Sequence, residues 1–561
     1  MLSSLTLSLA ALAVIAAVFA LYSPTLNYQF ILDDHRFVND PRVQSAGHIW
    51  DYFTSYVWAQ FTGGPSSFYR PIFVLWMRMN FMLSEMSPWG WHLLSIAKHA
   101  LVAILLGLLA WKLFRDRTAA LLAGTLFALH PAQNESVAWV TVPDPLMSAA
   151  MLGSVLLYLR YDDGASADDP THTAKSSRKL RTSNRAGGES HSSIGWLFAS
   201  AFLCMIALLA KETAVVLLPI LFALALLEPL EVVGRRSTAA GASPGTRLMA
   251  AFRRTLPFWF VTLIYFLLRF NALASGALGA RTQNLPLSTL LLSAPGILWF
   301  YVRVLVWPFR IYAFADPVEI STFSVRGVLL PGLGISCVLT LLAWGSIWAW
   351  RQARRRLSDG RAVGVEYALV LGWLTLLLPI LLTLNLNALN PGDFLHGRYT
   401  YLPLAGLMLL LATMWHMTKK LRIPLLLGAG LLVTLFVILT VRQESIWKDD
   451  LTVFTVAHEI APHNGPVALN LARAHVQAAI ALGDAGHCDE AVPTFDRVIR
   501  DYPQDWFAWA GLAQCQMELN DLPKAEQSLH RAVELSHDPR MTEEWQELRA
   551  HMGLPNPSSL K

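Results

Sequence analysis

Two adjacent carboxylates, Asp33 and Asp34, sit in the polar stretch 30–40, just beyond an apolar run from Leu2 to Tyr22. A carboxylate placed there can take a proton from an attacking hydroxyl. Further ionisable residues punctuate the apolar sequence: Arg70 between Tyr69 and Pro71, His130 before Pro131 with Glu135 and Asp144 behind it, Lys211 beside Glu212, Arg303, and Arg398 beside Tyr399. Cations in a poorly hydrated site steady a developing anion. Proton acceptors and anion holders are the parts that a group transfer needs.

Each of these residues has a plainer reading. A lone Asp-Asp can mark a helix end, and Lys211 and Glu212 can pair with each other or across a bundle to fix its packing. Pro131 stops a helix because its ring forbids continuation, and Arg70 and Arg398 can snorkel to lipid headgroups. Cost and company separate the readings. An ionisable side chain at a helix centre costs roughly 2.5–3.5 kcal/mol, so Lys211-Glu212 calls for partners or function, and four separated loops bring acids and bases to one face.

The elements that must position these residues are membrane helices. Of 561 residues, 54% are hydrophobic and 15% charged, too apolar for a soluble protein of this length. Runs able to cross a hydrocarbon core of about 30 Å fall at 2–22, 92–113, 119–130, 144–159, 196–210, 213–227, 255–270, 327–350, 366–384, 401–418 and 423–441. The first run has no Lys or Arg ahead of it and reads as a retained helix, not a cleaved signal. Residues 290–312, broken by Arg303, Pro308 and Arg310, read as re-entrant or interfacial, because a span there would force the basic cluster 351–361 outside. The result is about eleven spans, a cytoplasmic N-terminus and an external C-terminal part. The loop 23–91 is then external, and its many aromatic residues suit short interfacial helices. Residues 162–193, nearly free of large apolar side chains, read as a disordered cytoplasmic loop.

The formal charge of +5 lies in short basic clusters spaced by apolar helices, which suits the positive-inside rule and argues against nucleic acid as a partner. The four cysteines form no CxxC spacing. Cys204 and Cys337 read as buried small hydrophobes. Cys488 and Cys515 read as free thiols, pairing only if the tail faces an oxidising compartment. Residues 1–445 thus form a membrane body and 446–561 a soluble helical module. In the module Ala491, Phe495 and Val498 recur 34 residues on as Ala525, Leu529 and Ala532, the tetratricopeptide period.

In their order and spacing these motifs resemble the transmembrane and tetratricopeptide repeat O-mannosyltransferases. The residues that carry the resemblance are Asp33-Asp34, Tyr69-Arg70-Pro71, His92, Ala128-Leu129-His130-Pro131 with Glu135-Ser136-Val137-Ala138, Ala210-Lys211-Glu212, and Arg398 to Pro403, followed by the repeats. The resemblance covers nearly the whole chain. It implies an all-α fold: a polytopic helical bundle of the C-type glycosyltransferases with interfacial helices and a C-terminal repeat solenoid. It also implies an active site on the non-cytoplasmic face, a polyprenyl- or dolichyl-phosphate mannose donor, Ser or Thr hydroxyls as acceptors, and inversion at the anomeric carbon. Asp33 or Asp34 is then the base, and Arg70, His130, Glu135, Asp144, Lys211, Glu212, Arg303, Arg398 and Tyr399 bind the donor phosphate and substrate. The chain departs from the family at Gly397, where Glu often stands, and in carrying two full repeats where many are usual, which suits a bacterial relative.

On this reading phosphate leaves as a stable anion and needs no general acid, and the sequence requires no cofactor. A divalent ion bridging Asp33, Asp34 and Glu135 or Asp144 is the metal-dependent alternative. The partners are the lipid donor, an acceptor protein or peptide in the repeat groove, and membrane lipids. The location is a bacterial inner membrane, or the endoplasmic reticulum in a eukaryote, with the C-terminal domain periplasmic or lumenal. The competing readings are an envelope polysaccharide ligase or polymerase, a non-catalytic repeat scaffold, and, less well matched to a one-sided cluster, a transporter.

Overall fold

The computed structural model describes residues 2–59, 68–167, 189–227, 230–232, 235–237, 243–273, 284–309, 320–357, 359–388, 395–418, 422–482, 486–501, 503–536 and 539–555. The chain divides into two compact units. One comprises Met1–Ile311, Glu319–Leu389 and Gly397–Ser445; the other comprises Tyr312–Val318, Asn390–His396 and Ile446–Lys561.

The first unit opens with α1 (Leu2–Tyr22) and continues through short helices α2 (Asp34–Val38), α3 (Pro41–Gln44) and α4 (Asp51–Thr54), then α5 (Pro71–Ser84). These build a small core of their own, in which Phe37, Tyr52, Phe73 and Trp91 are buried with Val43 and Met77. The aromatic richness of this stretch therefore serves packing first; Trp50 and Trp89 remain exposed. A buried ion pair pins the loop: Arg42 meets the Asp40 carboxylate at 2.7 Å and also donates to the Tyr56 and Val57 carbonyls.

The long helices follow: α6 (Pro88–Phe114), α7 (Arg117–Leu129), the short α8 (Asn134–Ala138), α9 (Asp144–Ala167), α10 (Glu189–Ala210), α11 (Leu217–Leu227), α12 (Pro244–Leu273), α13 (Leu287–Val306), α14 (Leu330–Arg356), α15 (Asp359–Leu382), α16 (Tyr401–Met417) and α17 (Arg422–Glu444). A two-stranded antiparallel hairpin, Leu230–Val232 with Arg235–Ser237, interrupts the otherwise helical unit. Helix α6 is central, packing on α1, α5, α7, α9 and α15. At the turn between α6 and α7, Asp116 caps α7 and receives His416 and Arg422, which ties this turn to the ends of α16 and α17. Burial would raise its pKa, but hydrogen bonds from His416 and the Ala119 N–H, with Arg422 beside them, outweigh it and hold the carboxyl below the usual value. Helices α15 and α16 approach closely at a small residue, since a Cβ on Gly406 would lie 2.5 Å from the Leu376 backbone nitrogen.

The chain is a multi-pass membrane protein. Among the described residues seven helices are long and apolar enough to cross a membrane, and four shorter apolar helices accompany them: Ala11–Asn27, Arg117–Leu129, Ile194–Ala210 and Glu212–Leu227. Three expectations change. The segment 290–312 is not broken at Arg303: α13 runs unbroken through that residue to Val306 and is itself one of the seven. Of the supposed loop 162–193, residues 168–188 lie outside the described residues, while 162–167 complete α9 and 189–193 open α10. Cys204 is buried, but Cys337 is exposed on α14, which buries only 6% of its apolar window, as a helix facing lipid would.

In the second unit α18 (Asp450–Ile460) precedes the helix pairs α19 (Gly465–Leu482) with α20 (Gly486–Asp501) and α21 (Trp506–Glu518) with α22 (Leu522–Ser536), and α23 (Pro539–His551) follows. The six residues that define the 34-residue period are all buried, as stacked repeats require. Cys488 and Cys515 are joined, with Cα atoms 5.1 Å apart, so the free-thiol reading is corrected: helix pairing brings both buried sulfurs together. Gly511 gives the Phe495 ring its place, since an added Cβ would meet Cζ at 2.4 Å. Gly511→Ala is expected to destabilise this unit by about 1–3 kcal/mol through overpacking, read as a lower unfolding temperature of the repeats.

Candidate active site

One segment, Trp139 to Asp144, running from the end of α8 to the first residue of α9, holds the site together. Every residue in it is buried, and four of its six positions grip a functional side chain from elsewhere. The Trp139 ring lies under the Arg398 guanidinium, 4.4 Å away. The Val140 carbonyl accepts from Lys98 at 3.5 Å. Thr141 donates to Asp34 through its hydroxyl at 2.7 Å and its backbone N–H at 3.1 Å. Asp144 takes both oxygens to Lys211, at 2.7 and 2.6 Å. Thr141 and Asp144 are three residues apart, so their Cα atoms lie within about 11 Å of each other and one short segment holds both Asp34 and Lys211.

Asp34 is fully buried, and its second oxygen accepts the Ile31 N–H at 3.2 Å. Burial raises its pKa to about 7, against the lowering pull of Thr141, Ile31 and His35. Asp33 precedes it, is only half-buried, and does not cap α2. Of the two, Asp33 is the less enclosed, and Asp34 is the anchor of the turn.

A cavity of about 120 Å³ is lined by Phe68, Arg70, Asp144, Lys211, Glu212 and Tyr399 together with apolar residues including Met147, Leu382 and Leu402. Arg70 grips Glu212 in a two-pronged contact, 3.0 Å from Nε and 2.8 Å from Nη2 to the same oxygen, and its guanidinium lies 4.4 Å from the Phe68 ring centre. Arg269 of α12 approaches the other Glu212 oxygen at 3.8 Å. Lys211 lies 5.1 Å from the Tyr399 ring. Among the described residues, three cations, Arg70, Arg269 and Lys211, thus lie against two acids, Glu212 and Asp144. The surplus positive charge suits an anionic phosphodiester, and the paired acids keep the cations fixed before it arrives.

The remaining expected residues divide. Arg398 joins through Glu135, whose carboxylate accepts its backbone N–H at 2.9 Å and lies 3.6 Å from its guanidinium. His130 does not join. Its Nδ1 accepts from Ala132 and its Nε2 donates to the Leu305 carbonyl at 3.2 Å, with Phe436 edge-on, so it ties α7 to α13 and α17. Burial lowers its pKa to about 4 and keeps the ring neutral for that role. Arg303 is exposed on α13. Of the carboxylates considered for a bridging ion, Asp144 pairs with Lys211 and Glu135 lies against Arg398. Three participants were not foreseen: Lys98, Thr141 and Arg269. Lys98 carried a signal, an ammonium inside an apolar run; Thr141 carried none.

The fold and site define a polytopic helical membrane protein with a tetratricopeptide-repeat module, and residues 476–538 match the tetratricopeptide repeat family. The chain is similar to the protein O-mannosyl-transferases, as its motifs implied. It is 24% identical to human (Homo sapiens) TMTC1 over 533 residues, 86% of this chain and 54% of that protein. It is 32% identical to Tmtc1 of Drosophila melanogaster over 203 residues, 36% of this chain and 21% of that one. The chain therefore spans about half or less of the length of these curated relatives. Among solved structures, the oligosaccharyltransferase AglB of Archaeoglobus fulgidus, in complex with an inhibitory peptide and a dolichol-phosphate, aligns with 82% of this chain and 59% of its own at 14% identity and a TM-score of 0.44.

Proposed function

We propose that the chain is an integral-membrane glycosyltransferase that moves mannose from a polyprenyl- or dolichyl-phosphate donor to Ser or Thr hydroxyls of proteins on the non-cytoplasmic face. The observation that carries this reading is the cavity in which, among the described residues, Arg70, Lys211 and nearby Arg269 outnumber Glu212 and Asp144, with the segment from Trp139 to Asp144 linking it to Asp34. The likeness to protein O-mannosyl-transferases supports the choice of sugar and acceptor.

In the proposed step the acceptor hydroxyl oxygen attacks the anomeric carbon as the bond from that carbon to the phosphate oxygen breaks. The electron pair leaves with the phosphate, whose charge grows from one to two, and the hydroxyl proton passes to Asp33. Arg70 and Lys211 stabilise the growing charge. Attack opposite the leaving group inverts the carbon. Glu135 positions Arg398, and Asp34, Lys98 and Thr141 position the turn; none of these needs to touch the sugar. The repeat groove, about 690 Å³ and lined by Arg473, Gln477, Phe507 and Glu544 among others, would take an extended segment of the acceptor.

Label transfer from radiolabelled polyprenyl-phosphate mannose into alkali-labile protein glycan, with and without the chain in the membranes, tests the reading. Chain-dependent label supports it. Equal label in both, or label only from a different sugar donor, removes the mannose assignment.

The buried Cys488–Cys515 pair supports an oxidising compartment for the repeats, because disulfides persist there and not in cytosol. Without reductant both sulfurs are expected to resist a membrane-impermeant thiol-reactive mass tag even after denaturation, and to react after reduction. Reaction before reduction would place the repeats on the cytosolic side.

A further inference from the structure

We propose that the repeat module carries a transition-metal site formed by His475, His487 and Glu490, suited to Zn²⁺. His475 stands on α19; His487 and Glu490 stand one turn apart on α20, so that both project from the same helix face toward α19. One ligand atom from each of the three lies within 4.8 Å of the other two. The His475 Nδ1 is 3.5 Å from a Glu490 carboxylate oxygen, and the two imidazole rings lie 6.0 Å apart, tilted by 37°. Around a tetrahedral Zn²⁺ with bonds of about 2.0–2.1 Å, ligand atoms sit about 3.4 Å from one another. Small side-chain rotations close the difference.

Two further observations favour an ion over a simple contact. His475 is only 9% exposed, and among the described residues its Nδ1 has no hydrogen bond, a costly state for a buried ring nitrogen. The arrangement also sets a second imidazole beside it, which a lone carboxylate does not need. Two imidazoles and a carboxylate are borderline-soft ligands of the kind Zn²⁺ takes. Glu490 is exposed and His487 half-buried, so a fourth position opens to solvent.

The ion would clamp α19 to α20 where the Cys488–Cys515 bond clamps α20 to α21. Arg473 and Gln477, two residues to either side of His475, line the groove, so the same ion would fix one wall of it.

The test uses the full chain purified in detergent, stripped with chelator and titrated with Co²⁺ followed by visible d–d absorption, then with Zn²⁺ by calorimetry. One Co²⁺ per chain, displaced by Zn²⁺, is expected. The His475→Gln/His487→Gln variant should lose the tetrahedral absorption, with its disulfide intact on a non-reducing gel as the check of folding. If that variant misfolds, Glu490→Gln, altering an exposed side chain, should weaken Zn²⁺ at least about tenfold, since losing even an outer-shell partner costs that much. The absence of saturable binding to the unaltered chain, or equal binding by the variants, overturns the proposal.

Discussion

Asp33→Asn is expected to abolish sugar transfer, while Asp34→Asn leaves a measurable fraction. A positioned base contributes about 10²–10⁴ in rate, and Asp33 is the half-buried member of the pair. Asp34 is enclosed and hydrogen-bonded by Thr141 and Ile31. Asn can still accept from Thr141 but turns an N–H toward Ile31, so the turn loosens without losing the base. Transfer of label from polyprenyl-phosphate mannose at matched expression separates the two; equal loss in both variants would reassign the base.

Asp34 also carries a pH signature. Burial holds its pKa at about 7 in the fold against an ordinary 3.8. The folded state keeps this proton to higher pH than the unfolded chain does. Its contribution to stability is therefore complete below about pH 4 and is lost as pH rises through about 7. Asp34→Asn removes that dependence, so thermal unfolding in detergent should fall less across this window in the variant than in the parent.

Lys211→Met is expected to cost about 3–5 kcal/mol of stability, because it strands the buried Asp144 carboxylate without its cation. Both members are nearly enclosed, with side-chain exposures of 7% and 4%. Adding Asp144→Leu removes the stranded charge, and the double variant should recover most of the lost unfolding temperature. Its transfer activity should stay absent, since the cation for the leaving phosphate is gone. Recovery of activity along with stability would show the pair to be purely structural.

Much of this site was legible before the fold. Ionisable residues inside apolar sequence are expensive, so Lys211, Glu212, Arg70 and Arg398 announced themselves by cost alone, and each has a charged partner here. What cost cannot reveal is which partner. Lys211 and Glu212, adjacent in sequence, do not pair with each other: consecutive residues point apart, and they meet Asp144 and Arg70 instead. His130, expected among the substrate-binding residues, links three helices through one carbonyl, one N–H and one aromatic edge, contacts that sequence spacing does not encode. The repeats were readable from their period, whereas the Cys488–Cys515 bond depends on how α20 meets α21, which spacing does not encode.

The segment from Trp139 to Asp144 also bears on how the protein can be altered or can diverge. Most loops absorb insertions, because their length is not a coordinate of anything else. Here successive positions are in register with Arg398, Lys98, Asp34 and Lys211. One added or deleted residue would shift every partner after it at once. These six residues act as a ruler, and their number should be held constant while their side chains vary.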